Sequence, residues 1–510
     1  MSKFYLTTPI YYVNARPHIG HAYTTIMSDC LARFKKICGD EVFFLTGTDE
    51  HGEKIKKAAM AAGQEPGPFV DAVSQNFKDL WKSLNISYDF FIRTTQQVHI
   101  DAVRQALTIL YAKGDIYKTK YRGFYCMPCE SFWTDSQVKE AGGCPDCKRS
   151  VEEIEEENYF FKLSKYEEWL KKYLRDNPGF VMPKIRHNEV VGFLENNKLA
   201  DLCISRPVKR VSWGITLPFD QEYVVYVWFD ALLNYITGIG AYSNEERFKK
   251  MWPADIHFMA KDILKQHAVF WPIMLQALGI EQPRMVFAHG WWKMGDEKIS
   301  KSKGNAVSPL ELIDSLKLGA AGVDALRYFL LREVPLGADG NFSRDALVIR
   351  VNSDLANDLG NLVYRTLTMT EKYFQGTVEA PAATQPKEFL AAFAALHEYR
   401  GRMDSLEFIG ALELIFNFIR VMNKYVEDTK PWNLSKEKKT EELAAFMYAL
   451  LEGIRVVALH LYPFIPASCE RIYRQLGLAS TFSIEQSRWG LYTRYTIKKE
   501  APLFPRIDVA

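Results

Sequence analysis

An α/β fold is predicted by this sequence: a doubly wound parallel sheet, split by a cysteine-bearing insertion and followed by an all-α helix bundle. Three observations predict it. The first fifty residues alternate apolar β-rich runs with one amphipathic helical period, and strand–helix–strand at that spacing gives parallel strands joined by right-handed crossovers. Between positions 115 and 222 the texture changes, with four clustered cysteines and the acidic run Glu152 to Glu157. After about Arg344 the apolar residues recur almost solely at helical steps.

Composition bounds the answer. A chain of 510 residues is long enough for three to four domains at roughly 150 residues each. With 48% hydrophobic, 25% charged and 14% aromatic residues it is no disordered or low-complexity chain. Lys and Arg total 64 against 62 acidic residues, a net charge of +2, which excludes a histone-like polycation but leaves room for a local basic patch. The strongest apolar stretch, Val224 to Leu233, is cut by Asp230 and is too short for a membrane span. Met-Ser-Lys leads directly into Phe4-Tyr5-Leu6 without a secretion-signal pattern. Eight cysteines in so long a chain are not a disulfide framework. A reducing, cytoplasmic location is expected.

Taken in order, Phe4 to Ile10 reads as a strand, and a loop with Asn14 and Pro17 follows. Ile19, Tyr23, Ile26, Met27, Cys30, Phe34 and Ile37 then form one helix face. Gly39-Asp40 ends that helix and Val42 to Leu45 is the second strand. Helices are expected at Glu53 to Ala62 and Phe69 to Leu84. Strand character returns at Tyr223 to Phe229, and Ile256 to Phe258 and Met285 to Phe287 continue the sheet. Leu347, Val351, Leu355, Leu359, Leu362, Val363 and Leu367 open the bundle, and further helical periods run through Phe389 to Tyr399, Leu406 to Val426 and Thr440 to Leu461.

Two segments carry chemistry. His18-Ile19-Gly20-His21 falls where the first loop turns into the first helix. Free N–H groups and the positive dipole end favour anions there. Gly20 would let a planar ring approach the backbone, and the two imidazoles could donate to developing negative charge. Four such residues alone could equally be surface or capping groups. Lys298-Ile299-Ser300-Lys301-Ser302-Lys303-Gly304-Asn305 cannot form a core. Lys298 and Lys301 can face the same way and would neutralise a polyphosphate, although a lone lysine run is usually a solvated face.

Together the two segments resemble the HIGH and KMSKS signatures of class I aminoacyl-tRNA synthetases, with Ile299 in place of the usual Met. Pro9-Ile10-Tyr11-Tyr12-Val13-Asn14, Gly47-Thr48-Asp49-Glu50-His51-Gly52 and Arg327-Tyr328-Phe329-Leu330-Leu331-Arg332-Glu333 narrow the resemblance to the methionyl-tRNA synthetase family, over essentially the whole chain. It implies five regions. A Rossmann-like catalytic domain occupies 1–114 and 223–290, interrupted by a connective insertion with a zinc knuckle at 115–222. A stem-contact region bearing the Lys-Ile-Ser-Lys-Ser loop spans 291–344, and a helical anticodon-binding bundle 345–510.

The cysteines speak independently. Cys126-x-x-Cys129 and Cys144-x-x-Cys147, fourteen residues apart with Gly142-Gly143 between them, match a four-thiolate zinc site better than a redox pair. Four thiolates leave no open position, so the metal would be structural. Cys30, Cys38, Cys203 and Cys469 are isolated and read as core thiols.

Site residues follow from the resemblance one by one. His18, Gly20, His21, Lys298, Ser300 and Lys301 would bind ATP, with His18, His21, Lys298 and Lys301 stabilising developing charge. Ile10, Tyr12, Asp49, Trp228, Ala231, Leu232, Tyr235, Ile263, His267 and Trp271 would form the methionine pocket. Asp49 would pair with the ammonium group, and Tyr12 and His267 would lie near the sulfur. Aromatic and apolar walls suit a thioether, though Trp228, Ile263 and Trp271 could simply be core. Ala260-Lys261-Asp262 stands where the family usually has Gly-Lys-Asp. Asn361 and Arg365, four apart on a helix, and Trp432 after Lys430-Pro431 would read the anticodon.

The implied activity is methionine–tRNA ligation: ATP-dependent activation of methionine and transfer to initiator and elongator methionine tRNA. It needs Mg²⁺ with ATP, one structural Zn²⁺ and no membrane, and a monomer is expected because no further C-terminal tRNA-binding domain follows the bundle. The rivals are another class I synthetase and a non-catalytic tRNA-binding paralogue. The insertion is short for an editing domain, and both signatures are intact.

Overall fold

The computed structural model describes residues 2–14, 16–126, 131–133, 135–145, 147–295, 297–299, 307–381 and 385–508. Strand β1 (Lys3–Tyr12), helix α1 (Ile19–Ile37), β2 (Glu41–Asp49), α2 (Glu53–Ala61), α3 (Pro66–Ser83), β3 (Phe90–Arg93) and α4 (Gln97–Ala112) build the first half of the sheet. The strands Ile256–Ala260 and Val286–His289 lie on the other side of β1. The order is β3, β2, β1, Ile256–Ala260, Val286–His289 and Val181–Met182, every neighbouring pair parallel. Chain direction across the sheet therefore reverses between β1 and Ile256–Ala260. A crevice at the carboxyl ends of those two strands is where such sheets bind ligands.

Alternation along the strands feeds two cores. Leu6, Phe44, Phe258 and Phe287 face α1 and the bundle, whereas Tyr5, Phe43, Leu45, Met259 and Ala288 pack with α4 and the segment around Leu232 to Trp271. Both faces are covered, as a parallel sheet requires.

One expectation about the middle of the chain needs correction. Tyr223 to Phe229 is not one strand. Asp220–Val225 is a strand of a small antiparallel sheet with Ser205–Pro207 and Thr216–Leu217, and Val227–Leu232 is helical. A short apolar run is compatible with either state, and packing decides. The segment 115–222 also holds helices at Glu167–Asp176 and Lys184–Asn196, and its Val181–Met182 pairs with Val286–Phe287 of the central sheet.

The bundle follows its pattern closely. Leu347, Val351, Leu355, Leu359, Leu362, Val363 and Leu367 are all buried, although the helix between Arg344 and Phe374 passes through a π-helical stretch at Val351–Gly360. Phe389 to Tyr399 is helical in pieces, a short α-helix at Leu390–Ala395 between two 3₁₀ turns. Phe408–Thr429 and Thr440–Leu461 are long helices. Among the described residues Thr440–Leu461, not Val224 to Leu233, is the segment long and apolar enough to cross a membrane. It is the bundle's central helix, with 89% of that window buried in the fold. It carries a buried ion pair, Glu452 to Arg455 at 2.7 Å.

Arg327, fully buried, fastens bundle to sheet. Its guanidinium donates to Asp29 Oδ2 of α1 (2.7 Å), to Leu84 O (3.3 Å) and to the carbonyls of Pro463 (3.1 Å) and Phe464 (3.0 Å). Arg33 and Ser87 complete the shell around Asp29. The Arg327 to Glu333 segment thus has a structural reason to be present, since a buried charge must be fully paired.

Candidate active site

The residues expected in the site begin at the end of β1. His18 caps α1: its Nδ1 accepts from the Gly20 N–H (3.0 Å), while His18 N–H donates to His21 Nδ1 (3.1 Å). A backbone N–H can only donate, so both Nδ1 atoms are bare, and in the neutral rings Nε2 carries the proton. The two imidazoles lie 3.9 Å apart, centroid to centroid. A Cβ on Gly20 would come within 2.9 Å of the His18 ring. The planar ring closest to this glycine is therefore His18's own.

Residues in and just after the second signature are held through the backbone. Ile299 N–H donates to Trp292 O (3.0 Å), and the Ile299 side chain is buried in the core. The position thus asks for an apolar group, and isoleucine meets it as methionine would. On the far side of the lysine loop, Val307 O accepts from Ile19 N–H (3.0 Å). Residues 288 positions apart in sequence are joined there by a hydrogen bond. Lys298 closes the short strand Glu297–Lys298; its side chain, Ser300 and Lys301 lie outside the described residues.

Most of the expected pocket residues are linked by contacts. Tyr12 pairs with Asp49 in the β1–β2 register, and Ile10 with Gly47. The Tyr12 hydroxyl donates to His51 O (3.0 Å). His51 Nδ1 lies 2.7 Å from Asp230 Oδ2, on the helix that carries Trp228, Ala231 and Leu232. Beyond it Tyr235 and His267 share a 2.7 Å bond from hydroxyl to Nε2. His267 Nδ1 is 2.8 Å from Ile263 O; a carbonyl can only accept, so Nδ1 bears the proton. Burial drives the His267 imidazole down to about 4, so the ring is neutral near pH 7. Trp271 is fully buried, 5.7 Å from the Tyr235 ring, and its indole N–H reaches His257 (3.3 Å). Trp228 and Ile263 are half-buried.

Ile263, His267 and Trp271 were expected on one regular helix face. Instead the chain winds through a 3₁₀ turn (Lys261–Ile263), a π-helical turn (Gln266–Phe270) and an α-helix (Trp271–Leu278). His267 and Trp271 still converge on Tyr235. The unusual Ala260 has φ −79° and ψ 151°, a conformation any residue adopts.

Sequence inspection missed the supports of this site. Glu50 is gripped by Arg93 through both oxygens (2.7 and 2.9 Å), and Trp213 holds the same corner, donating to Glu50 O (2.6 Å) and accepting from Gly52 N–H (3.2 Å). Asp339 receives Lys261 and Lys293, both at 2.8 Å. Glu50 and His51 belong to a recognisable segment; Trp213, Arg93 and Asp339 carried no signal of their own.

In the insertion, the sulfurs of Cys126, Cys144 and Cys147 lie within 4.8 Å of one another, Cys126 and Cys147 at 3.6 Å. Thiolates about 2.3 Å from a tetrahedral zinc stand roughly 3.8 Å apart, so this donor set fits the metal. Cys129 lies outside the described residues. Trp133 packs against Cys126 and Cys144 and receives Lys265 over its ring at 5.5 Å, which ties the knuckle to the pocket segment. Cys30, Cys203 and Cys469 are buried and Cys38 is half-buried.

In the bundle, Asn361 is exposed at the start of Asn361–Phe374. Arg365 bonds Asn423 twice, to its backbone O (3.1 Å) and Oδ1 (2.7 Å). Trp432 is 46% exposed at the start of the short helix Pro431–Lys436.

Comparison with known proteins follows the same outline. The family model for class I tRNA synthetases (M) matches residues 4–154 and 149–367, and that for the anticodon-binding domain of tRNA ligases matches 390–501. The methionine–tRNA ligase of Caldanaerobacter subterraneus subsp. tengcongensis is 48% identical over 99% of this chain and 79% of its own length. That of Thermotoga maritima is 46% identical over 99% of this chain and 80% of its own. The crystal structure of Mycobacterium tuberculosis methionyl-tRNA synthetase bound by methionyl-adenylate superposes with a TM-score of 0.92 at 39% identity, covering 99% of this chain and all of that one. Its apo form gives 0.86 at 37% identity, over 100% of this chain and 99% of that one. In sequence and in shape alike, the chain belongs to the methionyl-tRNA synthetase family.

Proposed function

We propose that this chain is a methionine–tRNA ligase: it activates L-methionine with ATP and transfers it to the 3′ end of methionine tRNA, releasing AMP and pyrophosphate. The observation that carries the reading is the Ile19–Val307 hydrogen bond. It ties Val307, which follows the lysine segment in the chain, to Ile19 of the His-Ile-Gly-His segment at the N-terminus of α1, and helix N-termini favour polyphosphates.

In the first step a methionine carboxylate oxygen attacks the α-phosphorus of ATP, a P–O bond forms, and the bond to pyrophosphate breaks. No side chain need act as nucleophile. Catalysis is positioning and charge stabilisation: the Nε2–H groups of His18 and His21 donate to phosphate oxygens, and Lys298 and Lys301 neutralise the departing pyrophosphate. Mg²⁺ bound with ATP would supply further positive charge against the phosphates. Ile10, Trp228, Ala231, Leu232, Tyr235 and Trp271 would wall the methionine side chain, with Asp49 for the ammonium group. A ribose hydroxyl of the tRNA then attacks the adenylate carbonyl and AMP leaves.

Cys126, Cys129, Cys144 and Cys147 would hold one zinc, which keeps the knuckle folded and leaves no ligand position for chemistry. Residues 115–222 and 291–344 would meet the acceptor end and stem of the tRNA, and Asn361, Arg365 and Trp432 its anticodon. We take the enzyme to be cytoplasmic and monomeric, serving both initiator and elongator tRNA.

ATP–pyrophosphate exchange with each of the twenty amino acids tests the reading. Methionine alone should support exchange, and Lys301→Ala should depress its rate far more than it weakens methionine binding. Exchange driven by another amino acid, or none at all, would overturn it.

A further inference from the structure

Asp230 is a buried carboxylate with no part in the activation step. Its Oδ2 lies 2.7 Å from His51 Nδ1 and its Oδ1 2.7 Å from His99 Nε2, and both imidazoles are buried as well. The other nitrogen of His99 meets Thr237 Oγ1 at 2.7 Å. One carboxylate therefore joins three separate elements: the corner after β2, the first turn of α4, and the helix Val227–Leu232. Burial alone would raise the Asp230 carboxyl; His51 first, and then His99, overcome this and hold it down at about 2.

What those elements carry gives the contact its meaning. His51 lies two residues beyond Asp49, and its carbonyl takes the Tyr12 hydroxyl. Asp230 sits between Trp228 and Ala231. Apolar contacts around a flexible thioether leave a wall free to slide, whereas charge-assisted hydrogen bonds are short and directional. A buried carboxylate held on both oxygens cannot shift without leaving an unpaired charge in the interior.

We infer that His51 and His99 are positioning residues for amino-acid binding: gripping Asp230 from two sides, they lock the wall bearing Trp228 and Ala231 to the corner bearing Asp49. The inference rests on the methionine pocket proposed above and deepens it. The ammonium subsite and the side-chain subsite then hold one fixed spacing, set by the Asp230 carboxylate.

The test uses the full chain, with methionine and ATP affinities from calorimetry and KM and kcat from pyrophosphate exchange. Asp230→Asn and His51→Leu should each raise the methionine Kd and KM at least tenfold, with the ATP KM within twofold of the parent. His51→Asn, whose side-chain amide reaches where Nδ1 stood, should recover most of the loss. Parental methionine affinity in both Asp230→Asn and His51→Leu would overturn the inference, as would His51→Asn being as impaired as His51→Leu. If His51→Leu does not fold, the isosteric Asp230→Asn decides. Asp49→Asn separates the two levels: unchanged methionine affinity there would refute the pocket itself, while loss there with unaffected hub variants would refute only the locking role.

Discussion

Adding one methyl group at Gly20 tests how His18 is held. A Cβ there would stand 2.9 Å from His18 Cε1 and 3.1 Å from Nδ1, whereas carbon atoms pack at about 3.5–4.0 Å. The ring must recoil by roughly 0.6 Å. The Nδ1 bond to Gly20 N–H, now 3.0 Å, then stretches to about 3.5 Å and is effectively lost. Loss of such a cap costs about 1 kcal/mol of helix stability, too little to unfold the protein. Catalysis is more sensitive, since a displacement of about 1 Å can cost on the order of 100-fold. Gly20→Ala should therefore lower kcat for methionine-dependent pyrophosphate exchange by about tenfold, with folding intact by circular dichroism and the ATP KM little changed. In a His18→Ala background the same methyl group should cost almost nothing, because the strained partner is gone. Full activity would refute the reasoning. So would a loss confined to the ATP KM, which would mean that Gly20 serves the nucleotide base directly and not His18.

Three further outcomes are expected. The protein should hold about one zinc per chain by atomic emission, and Cys144→Ser should lose it together with aminoacylation, because the knuckle's fold depends on the metal; full activity without metal would count against the structural role. Trp432→Ala should weaken tRNA recognition by about 1–3 kcal/mol and leave pyrophosphate exchange unchanged, since nearly half of its indole is already exposed; Arg365→Ala is less clean, as Arg365 also braces Asn423. Folded His267 gains its proton near pH 4 and the unfolded residue near 6.5. Between those values the unfolded state binds more protons, so stability falls as pH drops, by about 1.4 kcal/mol per unit. His267→Gln should flatten the unfolding midpoint against pH in that window, and an unaltered slope would show that His267 does not stay neutral.

Local pattern determined much of this protein. The helical period from Ile19 to Ile37 and the helix Thr440–Leu461 form where their spacing puts them, because which side chains share a face is a property of neighbouring residues alone. The signature segments and the paired cysteines were equally legible, since their chemistry lies in residue type and short spacing. Tyr223 to Phe229 was not: whether a short apolar run becomes strand or helix depends on what covers it, and only the packed structure splits it at Tyr226. Tertiary structure likewise decided that Val307 meets Ile19, that Trp213 holds the corner at Glu50, and that Asp230 stands between His51 and His99. Those contacts join residues 131 to 288 positions apart, and a chain carries no local record of such pairings until burial makes an unpaired charge or a lost backbone bond costly.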